Sequence, residues 1–275
     1  MPLVIGLVVL FGPASSIFAT ETHWTHRIDW EDATLYLEGE RRISGHSVSA
    51  YTHTSRIMSR EAPHAWLDAL RSLQIDSIRQ INDELSDNPE LVTLLVENFD
   101  NASSLGSSPS RAIDVVRQTW SIPLHSTVTR LFLNHTVTRP LPQPVAWQPP
   151  QTYTGLFIDA RGTLAVHGSN STSQTQPVVL PRLYDDEMEL VVSPEMVDAA
   201  YLSRWGVAGY TTVSDPETHR DRIGDNPLFV AADALFGVIP ANPVIPRDTA
   251  EVLLVHPANH HILNEGRIVI LVDRL

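Results

Sequence analysis

Five prolines fall within eleven residues, at Pro140, Pro142, Pro144, Pro149 and Pro150. Each fixes its own φ and removes a main-chain donor, so neither a helix nor an interior strand can run through positions 140–150. Such a segment takes extended, polyproline-like backbone. The chain therefore has to fold on either side of it, as an N-terminal domain over 20–139 and a C-terminal domain over 153–275, with 140–152 as the linker. Its 275 residues give each side enough length for a core of its own. Val145, Ala146 and Trp147 inside the linker are expected to pack across both domains and make it stiff, since a Trp is costly to leave in water.

Composition removes several kinds of function. The chain has 19 basic and 32 acidic residues, a net charge of −13 that repels phosphate backbones and excludes nucleic acid as the main partner. It contains no Lys and no Cys. Schiff-base chemistry, pyridoxal phosphate, a P-loop lysine, a thiol nucleophile, a disulfide and an iron–sulfur cluster are thereby ruled out. A lipid-bearing cysteine is ruled out as well. A hydrophobic share of 43% with 19% charged residues is that of a folded protein.

Leu3 to Phe11 is apolar apart from Gly6 and leads into Gly12, Pro13, Ala14, Ser15, Ser16 and, near the end, Ala19. This pattern predicts a signal peptide over 1–19 and a mature chain in the periplasm, although no basic residue precedes the apolar run. The run is too short to span a bilayer, which takes about 20 residues.

In the first domain Ala33 to Gly39 alternates with Leu35 and Leu37 on one side, and Ile43 to Thr54 is Ser/Thr-rich; the two suggest a hairpin. From Arg60 to Leu85, Trp66, Leu70, Leu73, Ile78 and Ile81 recur at helical spacing and predict the longest helix. Asn88 and Pro89 begin a second helix over Glu90 to Phe99, broken by Asn101 to Ser110. Trp120, Ile122 and Leu124 predict one strand, and Val128, Leu131 and Leu133 another. In the second domain Tyr153 to Gly162 reads as a strand ending in a turn, followed by a polar loop over Gly168 to Gln176. Strands are expected at Met188 to Val192, Val207 to Val213, Val244 to Ile245 and Arg267 to Val272. A helix capped by Ser193 and Pro194 ends at Gly206 or Gly209, and Asp248 caps another over Thr249 to Val255. The fold class is α+β, two small domains, each a mostly antiparallel sheet with helices packed on it.

The order Tyr153-Thr-Gly-Leu-Phe-Ile-Asp-Ala-Arg-Gly162, Pro181-Arg-Leu-Tyr-Asp-Asp186, Trp205-Gly-Val-Ala-Gly-Tyr210 and Gly224-Asp-Asn-Pro-Leu228 resembles bacterial cell-envelope proteins related to the LPP-type outer-membrane lipoproteins and the flagellar protein FlgP. The likeness runs mainly from Tyr153 to Leu275. It implies a non-enzymatic exported protein that assembles on or beneath the outer membrane as a homo-oligomer, in some members as rings around the flagellar motor. Outer-membrane and flagellar proteins are the partners it implies. Two features depart from that pattern: the absent lipid-bearing Cys and the longer Gly168 to Gln176 loop.

Three clusters carry candidate chemistry. His256, His260 and His261 suggest an open zinc site and hence a metal-dependent hydrolase, but Pro257 interrupts the helical spacing. Asp185, Asp186 and Glu187 suggest paired carboxylates, yet adjacent residues on extended chain point to opposite faces, which favours a turn. Asp215, His219, Asp221 and Asp225 lack the spacing of a calcium loop. Asp159 and Arg161 read as a turn pair, with Arg161 reaching a carboxylate such as Asp185. Six scattered Trp residues favour packing over a carbohydrate platform, which leaves an envelope glycan- or peptide-binding module as a third reading. From these residues no catalytic, cofactor or metal position is assigned, and no cofactor is expected.

Overall fold

The computed structural model describes residues 21–43, 47–99, 102–109, 114–133, 135, 137–146, 148 and 151–275. The segment read as a signal peptide lies outside the described residues, as does Trp147.

The first domain is one antiparallel sheet in the order β1-β2-β4-β3, formed by β1 (His23–Asp29), β2 (Thr34–Arg42), β3 (Ser103–Pro109) and β4 (Val115–Pro123). The alternation of β2 places Leu35 and Leu37 in the core, opposite Ile122 and Trp120 of β4. The hairpin partner of β2 is β1, and positions 48–54 of the Ser/Thr-rich stretch expected to supply it are instead the first turns of α1 (Val48–Leu70). Thr52 and Thr54 hydroxyls bond the carbonyls of Val48 and Ala50, which lets such residues sit inside a helix. Met58, Ala62, Trp66 and Leu70, four apart, form the buried stripe that lies on the sheet. Trp66 Nε1 donates to the Leu95 carbonyl at 3.1 Å, tying α1 to α3 (Glu90–Asn98).

The long helix stops at Leu70, short of the expected Leu85. Asp76 Oδ1 accepts from the N–H of Ile78 and of Arg79, closing a turn that no helix accommodates, and α2 (Ile81–Asp87) resumes beyond it. Two further expectations fail. The break at Asn101 to Ser110 contains edge strand β3, whose register is set by β4. The last strand of the domain is a π-helical turn, His125–Thr129, running into the single turn α4 (Arg130–Phe132).

The second domain departs from a mostly antiparallel plan. Its core is a parallel sheet in the order β10-β14-β5-β11, built from β5 (Gly155–Asp159), β10 (Gly209–Thr211), β11 (Pro227–Ala231) and β14 (Ile268–Leu271). A mixed sheet in the order β7-β6-β12-β13-β8-β9 lies beside it. Its strands are β6 (Leu164–Val166), β7 (Thr172–Ser173), β8 (Leu183–Asp185), β9 (Leu190–Val192), β12 (Ala234–Phe236) and β13 (Asn242–Ile245). Helices α5 (Ala199–Trp205), α6 (Arg220–Ile223), α7 (Arg247–Val255) and α8 (His260–Asn264) complete it. Strand β5 is buried between two parallel neighbours, which is why its sequence is a continuous apolar run. The cap of α5 is Asp198, whose carboxylate accepts from Ala200 N–H at 2.8 Å; Ser193 starts only a short 3-10 turn.

The two domains share one core. Main-chain bonds join the turn after α1 to the second domain, from Val179 N to Gln74 O, Leu180 N to Ile75 O and Ile239 N to Ser77 O. Arg139 N, just before the linker, bonds Glu195 O; within the linker Leu141 is buried, Gln148 Nε2 donates to Glu251 and the Gln151 carbonyl accepts from Asn259 Nδ2, whereas Val145 is fully exposed, so both ends of the linker are docked and Val145 takes no part. Among the described residues no helix is long and apolar enough to cross a membrane.

Candidate functional site

The conspicuous sequence motif builds the centre of the second domain. Tyr153 N–H donates to Asn259 Oδ1 at 3.0 Å, and Thr154 Oγ1 donates to the Ile223 carbonyl at 2.7 Å. A Cβ at Gly155 would lie 2.5 Å from Ile223 Cα, so only glycine lets α6 sit this close to β5. Asp159 closes the far turn by accepting from both the N–H and the guanidinium of Arg161, which holds its carboxyl below the usual range. The partner of Arg161 is thus Asp159 itself and not Asp185.

Helix α6 carries a half-buried cation. Arg222 donates from Nε to Gly266 O at 2.9 Å, from Nη1 to Trp205 O at 2.8 Å and from Nη2 to Gly206 O at 3.2 Å. These carbonyls end α5 and form the turn before β14, so one side chain locks three elements at a helix C-terminus, where positive charge is favoured. Burial pushes its pKa down to about 9 and raises that of the Tyr210 hydroxyl, which accepts from Val178 N–H. His125 packs on Gly206, and burial, with the Arg222 charge, pushes the imidazole down to about 3.

On the outer face of the parallel sheet, Phe157, Val269 and Leu271 form a small apolar cluster with Ile223 of α6. Its open side is β11, the last strand of the sheet. Phe229 of that strand is 57% exposed and its ring centre lies 5.6 Å from that of Phe157. Ala232 N–H donates to Asp159 O, and Asn226 O accepts from Thr154 N–H, so even-numbered positions face β5. By alternation the N–H and C=O of Phe229 and Ala231 point away from the sheet, along an edge that only Pro227 blunts. An apolar, unpaired edge of this kind is suited to strand addition.

The sequence-derived clusters do not assemble into centres. His260 Nε2 bonds Leu254 O and His261 Nδ1 bonds Ala258 O, while the residue between them and the fold is Asn259, fully buried, with Nδ2 donating to Gln151 O and Val252 O. Asp185 accepts from Glu187 N–H and Glu189 N–H within its own turn. Asp215 caps a 3-10 turn, Asp225 pairs with Arg220, and burial lowers the pKa of His219. Among the described residues no three His, Asp or Glu side chains are grouped so as to hold a metal ion. Arg222, His125 and Phe229 carry no local signal beyond Pro227, since a proline opening a strand marks an edge.

Fold and surface together define a two-domain α+β protein whose prominent features are a half-buried cationic staple and an open strand edge. Residues 21–131 match the family model of the N-terminal domain of Treponema pallidum Tp0624, and residues 155–274 match that of its second domain. The chain is therefore similar to Tp0624 over both of its folded domains. No curated protein matches it.

Proposed function

We propose that this chain is a non-enzymatic, exported cell-envelope protein of the periplasm that works by assembly, pairing first with a second copy of itself. The observation that carries the reading is the outward-facing edge of β11 around exposed Phe229. Phe229 is the middle residue of the five-residue strand, so two copies can meet antiparallel across a two-fold axis with Phe229 against Phe229. Pro227 would then oppose the other copy's Ala231, and because Pro227 lacks an N–H the pairing supplies about four main-chain hydrogen bonds. The net charge of −13 and the apolar N-terminal segment support a soluble exported chain with protein partners, outer-membrane or flagellar proteins among them.

Cell fractionation of the tagged full-length chain, combined with cross-linking in intact cells, tests the reading. Recovery of a cross-linked oligomer from the envelope supports it. A chain that stays in the cytoplasm and cross-links to nothing sinks it.

A further inference from the structure

A second open edge lies on the first domain and is independent of β11. Strand β1 ends the sheet order β1-β2-β4-β3, and its seven residues contain no proline. Among the described residues its main chain bonds only β2, so every second residue, about three or four in all, directs its N–H and C=O away from the sheet. A strand of this length with nothing to blunt it is a template for a further strand.

The helix layer stops short of this edge. His26 stands opposite buried Leu37 on the helix-bearing face of the sheet, yet it is exposed, and Trp24 and Ile28 on the same face are half-buried. Beside Trp24 a cleft of about 640 Å³ opens between the start of β1 and α1, with Arg41, Arg60, Glu61 and His64 in its walls. An edge strand beside a helix-lined groove is the arrangement in which an added strand gains both main-chain bonds and side-chain pockets.

The charge of this edge runs against that of the chain. From Thr22 to Ile28 there is no acidic residue, while His23, His26 and Arg27 are present. On α1, His53, Arg56, Arg60 and His64 are spaced by three, four and four residues, which aligns them in one exposed stripe that leads into the cleft. Among the described residues neither Arg56 nor Arg60 makes an ion pair. The acids of the cleft are largely spoken for: Glu61 pairs with Arg41 at 2.9 Å and Asp68 with Arg71 at 3.2 Å, which leaves Glu21, ahead of the strand. Two β1 edges meeting antiparallel about their centres would set His26 against His26, so a second copy is a poor occupant and an acidic strand a good one.

We propose that β1 is a docking edge for an extended, acidic segment of a partner protein. The segment continues the sheet through its main chain. On the helix-bearing face its apolar side chains cover Trp24 and Ile28 and a carboxylate reaches Arg60 and His64; on the other face its carboxylates meet His23 and Arg27.

Fluorescence anisotropy of labelled peptides titrated with the full chain tests the assignment. The probe is an eight-residue peptide in which pairs of valine and glutamate alternate, so that each face of the strand carries both. It is expected to bind at least about tenfold more tightly than the same peptide with lysine for glutamate, and Arg60→Glu, at an exposed position, to weaken it by about tenfold or more. A proline at the centre of the peptide is expected to abolish binding, because it removes a ladder donor. Phe229→Lys is expected to leave binding unchanged, which separates this edge from β11. Equal binding of the lysine peptide, undiminished binding to the Arg60 variant, or retention by the proline peptide overturns the proposal. Loss of binding in Phe229→Lys overturns it too, as does an absence of binding at ~1 mM chain or a chain that binds phosphatidylglycerol vesicles and no peptide.

Discussion

Arg222 and Trp205 are joined twice: Nη1 of Arg222 donates to the Trp205 carbonyl at 2.8 Å, and the guanidinium carbon lies 5.3 Å from the centre of the Trp205 ring. With Gly206 and Gly266 also bonded, the arginine fixes the end of α5, the turn before β14 and α6 together. Arg222→Leu leaves three buried carbonyls without that donor and is expected to lower stability by about 2–4 kcal/mol. Arg222→Lys should recover little of the loss, because an ammonium lacks the planar fork that reaches all three acceptors. Urea unfolding of both variants checks this.

His125 makes the protein acid-sensitive. Its imidazole is held at about 3 in the fold against an ordinary 6.5, so below pH 6.5 the unfolded chain takes up a proton that the native state refuses. Stability is unaffected by this group above pH 6.5 and falls by up to about 1.4 kcal/mol per pH unit as the pH drops from there toward 3. His125→Leu is expected to flatten the stability profile between pH 6.5 and 5, above the range where most carboxylates titrate. An unchanged slope in that window contradicts the assignment.

Asn259, and not the imidazoles around it, organises the segment after α7. Its side chain bonds Tyr153 N–H, Gln151 O and Val252 O. Asn259→Ala is expected to cost about 2–3 kcal/mol, and His261→Ala, at a half-buried position, less than about 1 kcal/mol. Thermal unfolding of the pair separates the two, and a His261 effect as large as that of Asn259 would reverse the reading.

Gly206 has φ +75°, and a Cβ there would overlap the His125 ring. Gly206→Ala is expected to destabilise by more than about 1 kcal/mol through backbone strain and this overlap together. His125→Ala should relieve the steric part only, so a double-mutant cycle on denaturant midpoints will show coupling between the two positions.

What the sequence reveals and what it hides divide along local and non-local lines. The alternation of Leu35 and Leu37, the Asn88-Pro89 helix start and the run from Leu156 to Ile158 are local patterns, and each element forms there. Val48 to Thr54 mimics a strand because β-branched and hydroxyl residues are shared by both structures, and only the back-bonds of Thr52 and Thr54 reconcile it with α1. The parallel pairing of β5 with β14 and β11 depends on residues more than 60 positions apart, and nothing in Tyr153 to Gly162 announces it. The partial burial of Arg222 is equally non-local: it sits in a highly charged stretch that reads as surface, and tertiary packing of α6 on the sheet brings its guanidinium onto the carbonyls of Trp205, Gly206 and Gly266. Asp159 and Arg161 were legible as a turn pair, since both partners lie within three residues.

Assembly through the β11 edge is the central claim, and the native mass of the purified chain beside that of Phe229→Lys tests it most directly. Phe229 is exposed, so the lysine leaves the fold intact while placing like charges together at the two-fold axis. The account predicts a dimer or larger symmetric species for the unaltered chain and a monomer for the variant. A chain that is monomeric at every concentration, or an oligomer that Phe229→Lys leaves unchanged, contradicts it.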